Sequence, residues 1–159
     1  MRKIITLTGH RYCGKVSVAI KLSRNSDMEI VHPVTDKPIP KERTDYYGDE
    51  YAHVSKERMD ELIATEHLLS QTVIDGYRYC FFEFQLKAPY NIMILDDDAL
   101  VQTKENYDGD VYSIKVWSDN EKKSKRVGES VQDYEFDEIF HYKVDDVEEL
   151  EWRIGYDLD

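Results

Sequence analysis

The sequence predicts a three-layer α/β domain built on a mainly parallel sheet, and three observations lead there. An apolar strand-like run, Ile4 to Leu7, stops at a glycine loop and is followed by Val16, Ala19, Ile20 and Leu22 at helical spacing. Strand-like and helix-like segments then alternate to the end of the chain, which calls for crossover connections, parallel pairing and helices on both faces of the sheet. The Asp75-Gly76 dipeptide between two β-rich runs marks a hairpin inside that alternation, because both residues tolerate positive φ.

The first strand ends at Gly9, and the first helix runs to about Arg24, with Asn25 and Ser26 as its stop. Residues 28–34 read as a second strand. Residues 35–47 read as a polar loop, since Pro38 and Pro40 lack a backbone donor and exclude a helix. A short strand closes with Tyr51 and Val54. Ser55 then caps a helix over residues 56–65 with Met59, Leu62 and Ile63 on one face. The hairpin pairs residues 69–74 with 77–84. A buried strand, Ile92 to Leu95, ends in Asp96, Asp97 and Asp98, and Val111 to Trp117 is another strand. Residues 118–126 read as helical, 127–137 as an acidic connector, 138–143 as the last strand and 145–154 as the closing helix.

At 159 residues the chain is one domain's worth of polypeptide, and 41% hydrophobic with 12% aromatic residues is enough to fill a core. No uncharged stretch approaches the roughly eighteen residues of a spanning helix, and no signal-peptide block opens the chain, so a cytoplasmic protein without membrane insertion is expected. Two cysteines, Cys13 and Cys80, make no disulfide framework and no four-cysteine zinc site. A net charge of −12 argues against nucleic acid as a partner, because phosphate backbones need concentrated Lys and Arg. Charges balance over residues 1–80, and the excess lies in residues 81–159. Ahead of the first acid, Asp27, come Arg2, Lys3, Arg11, Lys15, Lys21 and Arg24, a beginning suited to a small anion.

The strongest motif is Gly9-His10-Arg11-Tyr12-Cys13-Gly14-Lys15, which fits G-x-x-x-x-G-K and falls between a strand and a helix, where a phosphate loop (P-loop) belongs. Its glycines let backbone N–H groups turn inward around a phosphate, the helix N-terminus adds its dipole, and Lys15 supplies a mobile positive charge. Residues 9–17, from Gly9 through Val16 and Ser17, are therefore the expected nucleotide-phosphate contacts. Val16 takes the place of the usual Ser or Thr that ligates Mg²⁺, and the hydroxyl comes one residue later, at Ser17. This spacing resembles that of adenylate kinases and some phage nucleotide kinases. His10 and Cys13 read as residues that shape the loop, since phosphoryl transfer needs charge neutralisation rather than a side-chain nucleophile.

With that loop in place, the rest of the chain resembles the guanylate kinase family. The family loop T-R-x-P-R is matched by Lys37-Pro38-Ile39-Pro40-Lys41, and its G-x-D-Y-x-F-V-S by residues 48–55 with Tyr51 and Ser55. Its E-x-x-x-x-x-G-N-x-Y-G is matched by residues 70–80, with Gly76 and Tyr79, and its I-L-D-I-D by residues 94–98. Phe140 to Leu150 is similar to its last strand and helix. The resemblance implies a single guanylate-kinase-like P-loop domain over residues 1–159, with an acceptor-binding subregion at about 34–83 and a shortened lid at about 124–137.

By the same resemblance, Tyr51 and Tyr79 bind the phosphate of an acceptor nucleotide, with Lys37 and Lys41 in the places of two clamping arginines. Ser70 stands where the family glutamate reads guanine, and one hydroxyl cannot accept from two donors of that base. Asp96 holds Mg²⁺ together with Ser17 and helps to orient the acceptor, and Asp98 and Lys15 serve catalysis. Arg126 is the one obvious lid arginine. The implied activity is ATP- and Mg²⁺-dependent phosphoryl transfer to a nucleoside or deoxynucleoside monophosphate. The alternative is a catalytically impaired module of this fold that binds a phosphorylated ligand or a protein partner.

Overall fold

A computed structural model of the protein describes residues 1–10, 13–39, 52–118 and 135–158. Its centre is β1 (Lys3–Thr8), buried from Ile4 onward and paired in parallel on both sides, with β7 (Tyr90–Ile94) and with β8 (Val111–Trp117). Adding β2 (Met28–Ile30) beside β7 and β9 (Glu138–His141) beside β8 gives an all-parallel five-stranded sheet of order β2-β7-β1-β8-β9. A strand with neighbours on both edges and helices on both faces must be apolar throughout, which is why residues 4–7 run almost without alternation.

Two helices cover one face. α1 (Lys15–Leu22) and α4 (Val147–Leu158) bury Val18, Leu22, Leu150 and Ile154 against Ile5, Leu7, Ile92 and Ile114. On the other face α3 (Asp97–Asn106) buries Ala99 and Leu100 against Ile4, Met93 and Leu95. The result is the three-layer, mainly parallel α/β architecture expected from the sequence.

A second sheet, of order β4-β3-β6-β5, lies within residues 34–82. It consists of β3 (Val34–Thr35), β4 (Ala52–His53), β5 (Leu68–Ile74) and β6 (Tyr77–Phe82). The β5–β6 hairpin turns at Asp75 (φ 53°) and Gly76 (φ 83°), the two positive φ values that a tight hairpin requires. α2 (Lys56–Thr65) begins where Ser55 Oγ accepts from the Arg58 N–H, and its Met59 and Leu62 pack on Val34, Cys80 and Phe82. Leu69 and Phe81 face the other way, into the cluster beneath α3.

Side chains stitch the two sheets' elements together. Gln102 of α3 accepts from the Gln71 N–H at 2.9 Å and donates to the Gln71 carbonyl at 3.1 Å, and Asn106 donates to the Leu69 carbonyl at 3.0 Å. These bonds satisfy backbone groups along β5, an edge strand that would otherwise be open to pairing. Within the smaller sheet, Arg78 donates through its Nε and backbone N–H to the Asp36 carboxylate, both at 2.8 Å, and through Nη1 to Asp60 at 2.6 Å.

Three local expectations change. The run 28–34 is two strands in different sheets, because Pro33 cannot donate to a ladder and the chain leaves the large sheet after Ile30. A helix, α3, occupies residues 97–106, where none is expected from the sequence. The last strand stops at His141, where the Asp145 carboxylate takes the His141 N–H and closes a turn, and the final helix extends to Leu158. The helix expected over 118–126 falls outside the described residues beyond Ser118. Among the described residues no helix is long and apolar enough to cross a membrane.

Burial opposes the Asp36 charge, but the hydrogen bonds and charge of Arg78 outweigh it and hold the carboxyl below its ordinary value of 3.8. A carboxyl depressed in the folded state contributes stability above its unfolded pKa and loses that contribution as the pH falls through the folded value. Asp36→Asn should therefore cost about 2 kcal/mol in urea unfolding at pH 7. That gap should close as the pH drops below about 4. A gap that stays constant to pH 2 would show that Asp36 acts by packing alone.

Candidate functional site

The C-terminal end of β1 opens into the loop that leads to α1, at the edge of the sheet where ligands of open α/β folds bind. Both motif glycines have steric reasons to be there. A Cβ on Gly9 would lie 2.2 Å from the Val116 carbonyl oxygen, so β1 could not release its chain this close to β8 with any other residue. Gly14, the N-cap of α1, holds φ at 99°, and a Cβ there would lie 2.4 Å from the Tyr142 ring. Cys13, 1% exposed, packs in the core with Val18 and Phe140, and its N–H bonds the His10 carbonyl at 3.2 Å, which makes it a residue of loop shape.

The amides of the first turn of α1 have no side-chain cap, and no acid lies in that turn, so the helix presents its positive end. Lys15 Nζ folds back to the Gly9 carbonyl at 2.7 Å, across the mouth of the loop. Just before Gly9, the Thr8 hydroxyl is buried with no hydrogen-bond partner among the described residues, and so is that of Thr6. An uncapped helix start and a lysine amine together make a donor-rich corner where β1 gives way to α1. Its chemistry fits a phosphate group.

The Ser17 hydroxyl accepts a hydrogen bond from Tyr142 Oη at 3.2 Å, on the β9 side of α1. Val16 projects elsewhere, 60% exposed, and with Ile20, Pro33, Phe81 and Ile94 it lines an apolar cleft of about 280 Å³. That cleft joins the start of α1 to the second sheet.

On the second sheet, the register pairs Ser70 with Phe81, Thr72 with Tyr79, and Tyr79 with Thr35, so Ser70, Tyr79 and Phe81 share one face. Ser70 is 1% exposed and sits beside the Phe81 ring that enters the cleft. Tyr79 is half-buried on the same face. Lys37 is exposed in the turn after β3, where its carbonyl bonds His53 Nδ1 at 2.7 Å. Arg11, Tyr12, Lys41, Tyr51 and Arg126 lie outside the described residues, as does most of the expected lid.

The three acids after β7 receive a structural account that the sequence reading lacks. Asp96 is the N-cap of α3, its Oδ1 accepting from the Ala99 N–H at 2.8 Å, and Asp97 and Asp98 sit in the first turn, where the helix dipole favours negative charge. The Asp98 carboxylate also accepts from Gln102 at 2.9 Å. Asp96 and Asp98 remain exposed beyond the end of β7, the strand beside β1. Among the described residues no group of three His, Cys, Asp or Glu side chains could hold a metal ion, so a divalent cation here would depend on ligand oxygens for much of its shell. Burial pushes the Cys80 thiol up to about 11, which leaves it protonated and poorly nucleophilic at neutral pH.

Sequence reasoning overlooks two participants. Phe81 has the ordinary look of a strand residue, and Tyr142 is brought to Gly14 by the fold alone.

The crystal structure of guanylate kinase from Anaplasma phagocytophilum matches 99% of this chain and 84% of its own length, with a TM-score of 0.66 and 18% sequence identity. The chain has a guanylate-kinase-like fold. At that identity the likeness is one of fold. No protein-family model matches the chain, and no curated protein matches its sequence.

The guanylate-kinase-like fold sets a demand on Gly14 that local flexibility alone does not explain. Gly14→Ala should destabilise the protein by about 2 kcal/mol or more, because left-handed strain and the Tyr142 clash add. Gly76→Ala, with equally positive φ and no atom within 4 Å of its Cβ, should cost about 1 kcal/mol. Equal urea midpoints for the two variants would contradict the packing of Tyr142 on the loop.

Proposed function

We propose that the protein transfers a phosphoryl group from ATP to a nucleoside or deoxynucleoside monophosphate. The observation that carries this reading is the donor-rich corner between β1 and α1 within a guanylate-kinase-like fold, where the uncapped start of α1 and Lys15 lie at the strand's C-terminal end. In this reading residues 9–17 hold the donor's phosphates, and Lys15 exchanges the Gly9 carbonyl for a phosphate oxygen. Ser17 and Asp96 each keep an unused oxygen lone pair, and hydroxyl and carboxylate oxygens are the ligands that Mg²⁺ takes alongside phosphate and water. Mg²⁺ supplies neutralisation of the phosphate charge as the acceptor's phosphate oxygen displaces ADP from the γ-phosphorus.

The acceptor belongs on the face of the second sheet that carries Tyr79, with Tyr51, Lys37 and Lys41 as the further contacts that the resemblance implies. Asp96 also helps to orient it, Asp98 serves catalysis with Lys15, and Arg126 is assigned to the transferred group. Phe81 gives the cleft an apolar wall, with Ser70 buried beside it, which supports an acceptor other than one held by the hydrogen-bonding edge of guanine. The same wall, together with the exposed Val16 at the position after Lys15, favours the second reading: a module that keeps the fold, binds a phosphorylated ligand or a protein partner, and does not turn over.

Calorimetric titration tests the donor half. ATP should bind, and Lys15→Ala should abolish the heat, because backbone donors alone do not compensate a polyphosphate. Equal affinity in the variant would remove the phosphate loop from the account. For the acceptor half, Tyr79→Phe should raise the acceptor's Kd about tenfold or more while leaving ATP affinity alone. An acceptor constant that does not move would take Tyr79 out of the site.

A further inference from the structure

Tyr142 lies outside the phosphate-loop motif, yet it touches that unit at three points. Its ring covers Gly14, with Cγ 2.4 Å and Cδ2 2.5 Å from where a Cβ would stand. Its hydroxyl donates to Ser17 Oγ at 3.2 Å, and Lys21 Nζ lies 5.7 Å from its ring centroid. Gly14, Ser17 and Lys21 are spaced three and four apart, so they form one stripe along α1, and Tyr142 spans it. The tyrosine is itself fixed. Its N–H bonds the Trp117 carbonyl at 2.9 Å, and the following turn is closed by the Val144 N–H on the His141 carbonyl and by the Asp145 carboxylate on the His141 N–H.

A serine near a helix start has three rotamers open to it, and in a helix its hydroxyl commonly bonds back to the carbonyl four residues earlier. A donor fixed in the turn after β9 removes that freedom. It occupies one acceptor lone pair of Ser17 and leaves the second lone pair and the proton uncommitted. The ring and the hydroxyl therefore have separable roles. Covering a glycine needs only an aromatic ring, which phenylalanine would supply, whereas the bond to Ser17 needs the phenol.

We propose that Tyr142 is a positioning residue of the nucleotide site, fixing the Ser17 hydroxyl so that its free lone pair meets the divalent cation that accompanies a nucleoside triphosphate. This rests on the phosphate-loop reading above. Fixing the group before binding lowers the ordering cost that binding would otherwise carry. Because Tyr142 acts through Ser17, its effect is confined to the metal-dependent part of affinity.

The test is ATP affinity by calorimetry with Mg²⁺ and with EDTA, in wild type, Tyr142→Phe, Ser17→Ala and the double variant. Tyr142→Phe should keep the urea midpoint and the metal-free Kd within about twofold of wild type, and should reduce the Mg²⁺-dependent gain in affinity by about two- to tenfold. Ser17→Ala should remove at least as much of the gain, and the double variant should be no worse than Ser17→Ala, since the two residues form one unit. An unchanged gain in Tyr142→Phe, losses that add in the double variant, or a wild type without any Mg²⁺-dependent gain would each overturn the inference while leaving phosphate binding in place. A wild type that binds no ATP under either condition would overturn the phosphate-loop reading and this inference together.

Discussion

Everything in this molecule is arranged around the position of β1. Paired on both edges and covered on both faces, it has no freedom to bend, so its chain must leave the sheet at a fixed point and return as α1 over the same apolar surface. Gly9 meets that constraint against the Val116 carbonyl, and Gly14 meets it under the Tyr142 ring. Both glycines are thus required by the packing of β1 and α1 before any binding role is considered. A strand end and a helix start coincide because a parallel sheet with a short connection leaves no other path.

The second sheet hangs on the first through few but specific contacts. Gln102 and Asn106 of α3 satisfy the backbone of β5, while Leu69 and Phe81 join the central core. Arg78 then ties β3, β6 and α2 into one piece through Asp36 and Asp60. The surface that carries Tyr79 and Ser70 is for this reason held as a unit, and the apolar cleft next to Val16 and Ile20 lies where that unit meets α1. The proposed site is divided between these two pieces.

Where a residue's role is local, the sequence is a good guide. Ser55 announces the start of α2, Asp75-Gly76 announces the hairpin, and the glycines and Lys15 announce a strand-loop-helix unit, because each rule depends on a few neighbouring backbone angles. Where two roles compete for the same residues, it misleads. Asp96, Asp97 and Asp98 carry both the chemistry of a ligand cluster and the chemistry of a helix start, and Ala99, Leu100 and Thr103 at helical spacing were the cue for α3. Pro33, which splits the run 28–34, is visible in the sequence, but that its two halves belong to different sheets is decided by tertiary pairing. The burial of Ser70 beside Phe81 and the reach of Tyr142 to Gly14 and Ser17 are likewise matters of packing between distant segments. Of the candidate site, the strand–glycine–helix unit is thus legible from residues alone, while the packing of the second sheet beside it is not.

The central claim is that the two halves cooperate in chemistry, and a coupled assay of ADP release tests it most directly. With ATP and Mg²⁺ present, a panel of ribo- and deoxynucleoside monophosphates should include at least one that drives ADP release well above the acceptor-free rate, and GMP should not exceed the other acceptors by a thousandfold. A protein that binds ATP yet releases no more ADP with any acceptor than without one would contradict phosphoryl transfer and leave the binding module as the function of this fold.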